Sequence, residues 1–122
     1  MNAESLVELA RAFYERLNGL PEAAQYLRMF NRSVEFRSSG EPAFHFTVQD
    51  GRLTVGAGAA PAGEMSALRA DPETLLALLT GRVSFYEAGG GYAKNLRCTG
   101  GISYYPDISW VGILTRLAQE HR

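Results

Sequence analysis

The chain has 122 residues, of which 46% are hydrophobic and 20% are charged, and its net charge is −1. This balance, with no dense cluster of Lys and Arg, argues against nucleic-acid binding. The single cysteine excludes an internal disulfide and a cysteine-based zinc site. No basic N-terminal stretch precedes an apolar run and no segment is long enough to span a bilayer, so we expect a cytoplasmic protein.

Helices are predicted over residues 5–30. Ser5 and Glu8 have the spacing of a capping box, with Ser5 as the N-cap. The apolar residues that follow recur on one helical face, and Gly19 with Pro21 should end this helix. A second, shorter helix is expected from Pro21 to about Phe30.

The pattern then changes to an alternation of apolar and polar residues, which predicts strands. Phe44, Phe46 and Val48 alternate with polar side chains and lead to Asp50-Gly51, a strong signal for a type I′ hairpin. Residues 56–63 carry no charge and no large side chain, so we expect a loop there. A fourth strand is predicted near residues 65–69.

A short leucine-rich helix follows this strand. Asp71 is expected to cap the free N–H groups at its start, Pro72 suits the first helical position, and Gly81 suits a left-handed C-terminal cap. A helix of about ten residues is not stable alone, so it must lie on an apolar surface. Residues 94–100 alternate again and predict another strand.

The last predicted element is an amphipathic helix over residues 107–121, capped by Asp107 or Ser109. Its apolar residues stand at helical spacing, from Trp110 through Leu114 to Ala118. Strands and helices do not alternate strictly along the chain. The element order therefore predicts an α+β fold, with a mostly antiparallel sheet of four to five strands covered by helices.

The order of a capped leucine helix, an aromatic segment and a short strand ending in Gly100 resembles the sterol carrier protein type two family. The upstream hairpin at Asp50-Gly51 stands where that family has its first pair of strands. The resemblance covers about residues 20–101, and it implies one domain over residues 1–122, with the sheet and central helix at 33–100. The chain departs from the family pattern at Gly90-Gly91-Tyr92-Ala93, where the family has an apolar helical run.

The sequence predicts no catalytic residue, metal site or cofactor. No Gly-x-Ser-x-Gly motif is present. His45 alternates with two phenylalanines, so it should project from the other, wetter face of its strand. Cys98 is in phase with Leu96 and is interpreted as a buried small side chain rather than a nucleophile.

Two functions are left open. The resemblance implies non-enzymatic binding or carriage of an apolar ligand (lipid, fatty-acyl or sterol-like) in a cavity between sheet and helices, with at most transient contact with a membrane surface. The alternative is a protein-interaction or dimerisation module, such as a homodimer, whose core is filled. For the first function, the predicted ligand-binding residues are Phe46, Leu75, Leu79, Phe85, Tyr86, Tyr92, Leu96, Trp110 and Leu114.

Overall fold

The computed structural model of the protein describes residues 3–38, 40–60, 65–84, 97–100 and 104–121, of which residues 3–5, 65–67, 97–100 and 104–110 are described by their backbone alone. Within them, the helices α1, α2, α3 and α4 span Ala3–Glu15, Pro21–Met29, Pro72–Leu79 and Tyr104–Glu120. A single 3-10 turn, Arg16–Gly19, follows α1 directly. None of the described helices is long and apolar enough to cross a membrane.

The strands form one mixed sheet. They are β1 to β5, with bounds Ser33–Ser38, Glu41–Gln49, Arg52–Ala57, Met65–Arg69 and Arg97–Gly100. Their order across the sheet is β3-β2-β1-β4-β5, and β1 runs parallel to β4 while the other neighbouring pairs are antiparallel. The α+β class is confirmed, and the sheet is mixed rather than purely antiparallel. The chain must cross β2 and β1 between β3 and β4.

The predicted hairpin is confirmed. Asp50 and Gly51 have φ angles of 53° and 80°, and Gln49 pairs with Arg52 on either side of them. Two successive residues at positive φ define the type I′ turn, whose twist matches that of the two strands. β3 continues to Ala57, however, so the loop expected over residues 56–63 begins later. The ring of His45 lies over Gly56, and the absence of a side chain there lets the strand continue under it.

Two helix starts differ from the prediction. Helix α1 begins at Ala3, so Ser5 lies inside the helix and is not its N-cap. The carboxylate of Glu8, which a capping box would need, pairs instead with Arg11 one turn later. Helix α4 begins at Tyr104 rather than at residue 107. This places Pro106 in the first turn, where its missing N–H would have had no partner in the helix anyway.

The core lies between one face of the sheet and the helices. Phe36 and Phe44 face each other across β1 and β2, and their rings stack with centroids 4.8 Å apart. The ring of Tyr14 in α1 lies 4.9 Å from that of Phe46. The hydroxyl of Tyr14 also makes a buried 3.0 Å hydrogen bond with Thr115 Oγ1, which ties α1 to α4. Dense aromatic packing therefore fills the interface between α1 and the centre of the sheet.

Candidate functional site

Helix α3 is held at its C-terminal end by backbone bonds and by α4. Gly81 has a φ of 76°, its N–H donates to Leu78 O at 3.2 Å, and the N–H of Arg82 donates to Ala77 O at 2.8 Å. These two bonds form a Schellman motif, and the left-handed C-terminal cap predicted at Gly81 is confirmed. The amide of Gln119 in α4 also donates to Leu78 O at 3.1 Å. The end of this eight-residue helix is thus fixed from two directions.

The start of α3 lies where the sequence places it, with Asp71 in extended conformation at the N-cap and Pro72 at the first helical position. The side chain of Asp71 does not form the expected capping bond to the helix. Glu73 stands in the first turn, where the positive end of the helix dipole favours an acidic side chain. The predicted start of the helix is therefore confirmed, but the predicted capping bond from the Asp71 carboxylate is wrong.

Helix α3 has two apolar faces. Leu75, Leu78 and Leu79 are at most 3% exposed and belong to the core, in keeping with their i, i+3, i+4 spacing. Leu76 is only half-buried, since it lies about 100° further round the helix. Pro72 and Glu73, four and three residues before Leu76, share its side of the helix.

This second face of α3 borders a pocket with a volume of about 230 Å³. The pocket is lined by Leu76, Pro72 and Glu73 from α3, Leu6 from α1 and Glu41 at the start of β2. Its walls are thus contributed by three elements, and three of its five lining residues are apolar. Pockets that hold small molecules are concave and mostly apolar in this way.

The two polar residues of the described pocket lining are both glutamates. In the described part of the chain, Glu41 and Glu73 line the pocket without a hydrogen bond or ion pair to another side chain. Glu73 is in the first turn of α3, where the helix N-terminus favours its negative charge, whereas Glu41 belongs to β2. The described lining contains no Lys, Arg or His.

The predicted ligand-binding residues that the structure describes lie in the core. Phe46, Leu75, Leu79 and Leu114 are all at most 3% exposed and belong to one hydrophobic cluster. None of these four lines the pocket. The other five predicted residues are outside the described side chains: Phe85, Tyr86, Tyr92, Leu96 and Trp110. The glycine triplet 89–91 is likewise outside the described residues.

Leu6 and Leu76 line the pocket, and sequence reasoning did not assign them to it. A signal was present for Leu76, because four leucines within five helical positions cannot all face one side. For Leu6 there was none, since its helical spacing with Ala10 and Phe13 is that of an ordinary core residue.

The opposite face of the sheet carries a polar cluster. Glu35 in β1 is 4% exposed, and its carboxylate accepts a 2.7 Å hydrogen bond from the Ala60 N–H and another from Arg37. Burial raises the pKa of Glu35, but these bonds and the charges of Arg37 and His45 outweigh it and hold the pKa below its ordinary value. Nδ1 of His45 lies 3.1 Å from Gly58 O. His45 thus projects away from the phenylalanine face, as predicted, and the cluster fastens the start of the β3–β4 crossing onto the sheet.

Comparison with known proteins identifies the fold. No family model and no curated protein matches the sequence. The structure is similar to sterol carrier protein 2, with a TM-score of 0.63 and 18% identity over 93% of this chain and 95% of that one. It is also similar to the UbiJ-SCP2 ubiquinone synthesis protein, with a TM-score of 0.61 and 15% identity over 95% and 94% of the two chains.

A third similar structure is a conserved hypothetical protein from Thermus thermophilus, described as possibly a sterol carrier protein. The TM-score is 0.60, and the 18% identity extends over 93% of this chain and 85% of that one. The likeness spans nearly the whole of each chain. The chain therefore has the sterol carrier protein 2 fold, and the resemblance first seen in the sequence is confirmed at that level.

Proposed function

We propose that the protein binds an apolar small molecule, such as a lipid, fatty-acyl or sterol-like compound, and carries it without chemical change. The observation that supports this most directly is the apolar pocket between α1 and α3 in a chain with the sterol carrier protein 2 fold. Its volume of about 230 Å³ is below the roughly 300–1,000 Å³ of typical ligand pockets. The described pocket would accordingly hold one segment of a lipid rather than a whole molecule.

The rest of the ligand would extend toward the residues proposed from the sequence. The pocket face and the core face belong to the same short helix, so Leu76 is a direct neighbour of Leu75 and Leu79 on α3. We assign Leu6 and Leu76 to the outer part of the site. The nine ligand-binding residues that the sequence predicts, among them Phe46 and Leu114, remain the proposed inner contacts. Delivery of the ligand would require at most transient contact with a membrane surface, and a cytoplasmic location suits that role.

The alternative function is a protein-interaction or dimerisation module with a filled core. It is favoured by the full burial of Phe46, Leu75, Leu79 and Leu114 and by the stacked aromatic rings above the sheet. In that case the pocket would be a surface depression without a ligand. The two functions differ in whether an apolar molecule binds at Leu76.

Native mass spectrometry of the purified protein, followed by titration of the delipidated protein with apolar ligands, tests the proposal. We expect a co-purifying lipid mass and saturable binding near ~1 µM, about −8 kcal/mol, with quenching or a shift of the emission of Trp110, the only tryptophan. Leu76→Ala removes roughly three methylene equivalents from a half-buried side chain, so it should weaken binding by about 1 kcal/mol, or about fivefold.

The matched control is Leu20→Ala, because Leu20 is also a half-buried leucine but packs against the core away from the pocket. It should leave ligand affinity unchanged. A folded, lipid-free protein that ignores a range of lipids would refute the carrier function and favour the interaction module. Equal weakening by both variants would place the ligand elsewhere than at Leu76.

A further inference from the structure

The two glutamates that line the pocket constrain the charge of the ligand's polar end. Glu41 and Glu73 share one concave site with Leu6, Pro72 and Leu76. A molecule whose apolar part lies against these three side chains brings its polar end close to the carboxylates. The chemistry of that end must therefore suit two negative charges.

We infer that the pocket selects amphiphiles with a cationic, hydrogen-bond-donating head, such as a long-chain primary amine, over free fatty acids. This inference rests on the proposed function, since it assigns the head group of the ligand that the same pocket would hold. Both carboxylates are available, because neither makes a hydrogen bond or ion pair within the described part of the chain. A protonated amine supplies donors to both, whereas a carboxylate head is repelled by both.

The N-terminus of α3 does not reverse this preference. A helix N-terminus attracts anions through its free N–H groups. In α3, however, Glu73 already stands in the first turn and supplies the negative charge that this end of the helix favours. Glu41 is contributed by β2 and adds a second negative charge, and two carboxylates together exceed the roughly +0.5 charge of a helix N-terminus. An anionic head group thus meets a net negative rim.

The expected preference for the amine over the fatty acid follows from the opposite charges of their head groups. Replacing an ammonium head by a carboxylate turns two attractions into two repulsions, so each charge pair counts twice in the difference of affinity. Both glutamates are in contact with solvent, which keeps each pair weak. We expect about a tenfold preference for the amine at low salt, equivalent to about 1.4 kcal/mol.

Three probes with the same dodecyl chain separate head-group selection from apolar binding: dodecylamine, dodecanol and dodecanoate. Their affinities for the full-length protein are measured by titration calorimetry below the concentrations at which they form micelles. The expected order is amine, then alcohol, then carboxylate. Raising the ionic strength from about 0.05 M to about 0.5 M should reduce the differences in affinity among the three probes, because salt screens the charge interactions.

Glu41→Gln and Glu73→Gln keep the shape of the rim and remove one charge each. Glu41→Gln should reduce the ratio of amine to carboxylate affinity by severalfold, and Glu73→Gln should reduce it less. Glu120→Gln is the charge-matched control, since Glu120 is exposed on α4 and outside the pocket. It should leave the ratio unchanged.

The outcomes separate this inference from the proposed function. If dodecanol binds but dodecanoate binds as tightly as dodecylamine, the head-group selection is wrong while apolar binding stands. The same holds if Glu41→Gln and Glu120→Gln change the ratio equally. If none of the three probes binds the folded protein, the apolar-ligand function fails and the selection fails with it.

Discussion

The buried hydrogen bond between Tyr14 and Thr115 joins α1 to α4 and allows a sharp test of the packing. The two residues are at most 1% exposed, and the distance between their oxygens is 3.0 Å. Tyr14→Phe or Thr115→Val leaves one buried hydroxyl without its partner, which costs about 1–3 kcal/mol of stability. The double variant removes both hydroxyls with little change of shape, so it should be less destabilised than the sum of the single variants.

The two single variants should not be equal. When Tyr14 becomes Phe, the hydroxyl of Thr115 can turn to the carbonyl oxygen of Val111, one turn earlier in α4. When Thr115 becomes Val, the phenol is far from any backbone carbonyl of its own helix. Thr115→Val should accordingly be the larger loss, by about 1 kcal/mol.

The assay is urea unfolding at pH 7, followed by far-ultraviolet circular dichroism, with all three variants compared at an unchanged slope m. Strictly additive losses would mean that the two hydroxyls do not interact, and would refute the contact.

The stability at alkaline pH is a second test of the burial of Tyr14. Burial raises the pKa of Tyr14, and the bond to Thr115 offsets this only in part. The stability that comes from burying the neutral phenol is fully present below the unfolded-state pKa of about 10, and it falls as the pH rises above that value. Tyr14→Phe should therefore reduce the loss of stability at alkaline pH.

Three further predictions concern a turn, a buried hydroxyl and a buried carboxylate. Gly51→Val should destabilise the protein by at least ~1 kcal/mol, because Gly51 has a φ of 80° and an added Cβ would lie 3.2 Å from Arg28 Cγ; an unchanged urea midpoint would contradict the turn. Thr74→Val should stabilise the protein by about 1 kcal/mol in the same assay, since the buried Thr74 Oγ1 has no hydrogen-bond partner in the described structure; a loss of stability would reveal a partner. Because folding lowers the pKa of Glu35, its ionised carboxylate stabilises the protein above the unfolded-state pKa, and this stability is lost as the pH falls through the folded-state pKa. Glu35→Gln should therefore make the loss of stability at acid pH less steep. An unchanged pH dependence of stability at acid pH would contradict the bond to Ala60.

Local features of the fold were predictable because single residues or short patterns determine them. Asp50-Gly51 can adopt the two positive φ angles of a type I′ turn, and Gly81 provides the left-handed residue of a Schellman motif. The strand at 65–69 and the short helix after Pro21 also lie where the patterns place them. The positions of these elements are set by residue patterns that are only a few residues long, whatever partners the elements later acquire.

Long-range features were not predictable in the same way. The parallel pairing of β1 with β4 joins strands that are distant along the chain, and neither strand's own pattern encodes its partner. The crossing that brings β4 there is fastened through Glu35, whose partner is the backbone N–H of Ala60. A backbone donor leaves no signature in the sequence. The same limit applies to the pocket, whose lining comes from α1, β2 and α3 together.

The two faces of α3 separate stability from binding, and this separation is itself testable. Leu79 is 3% exposed in the core, so Leu79→Ala should cost ~2–5 kcal/mol of stability. Leu76 is half-buried against the pocket and outside the core cluster, so Leu76→Ala should cost less stability while it weakens the binding of dodecanol. Urea unfolding and calorimetry on the same two proteins compare the effects. If Leu79→Ala alone changed the affinity for dodecanol while the protein stayed folded, the ligand would lie on the core side of α3. The residues proposed from the sequence, rather than the pocket at Leu76, would then form the principal binding surface.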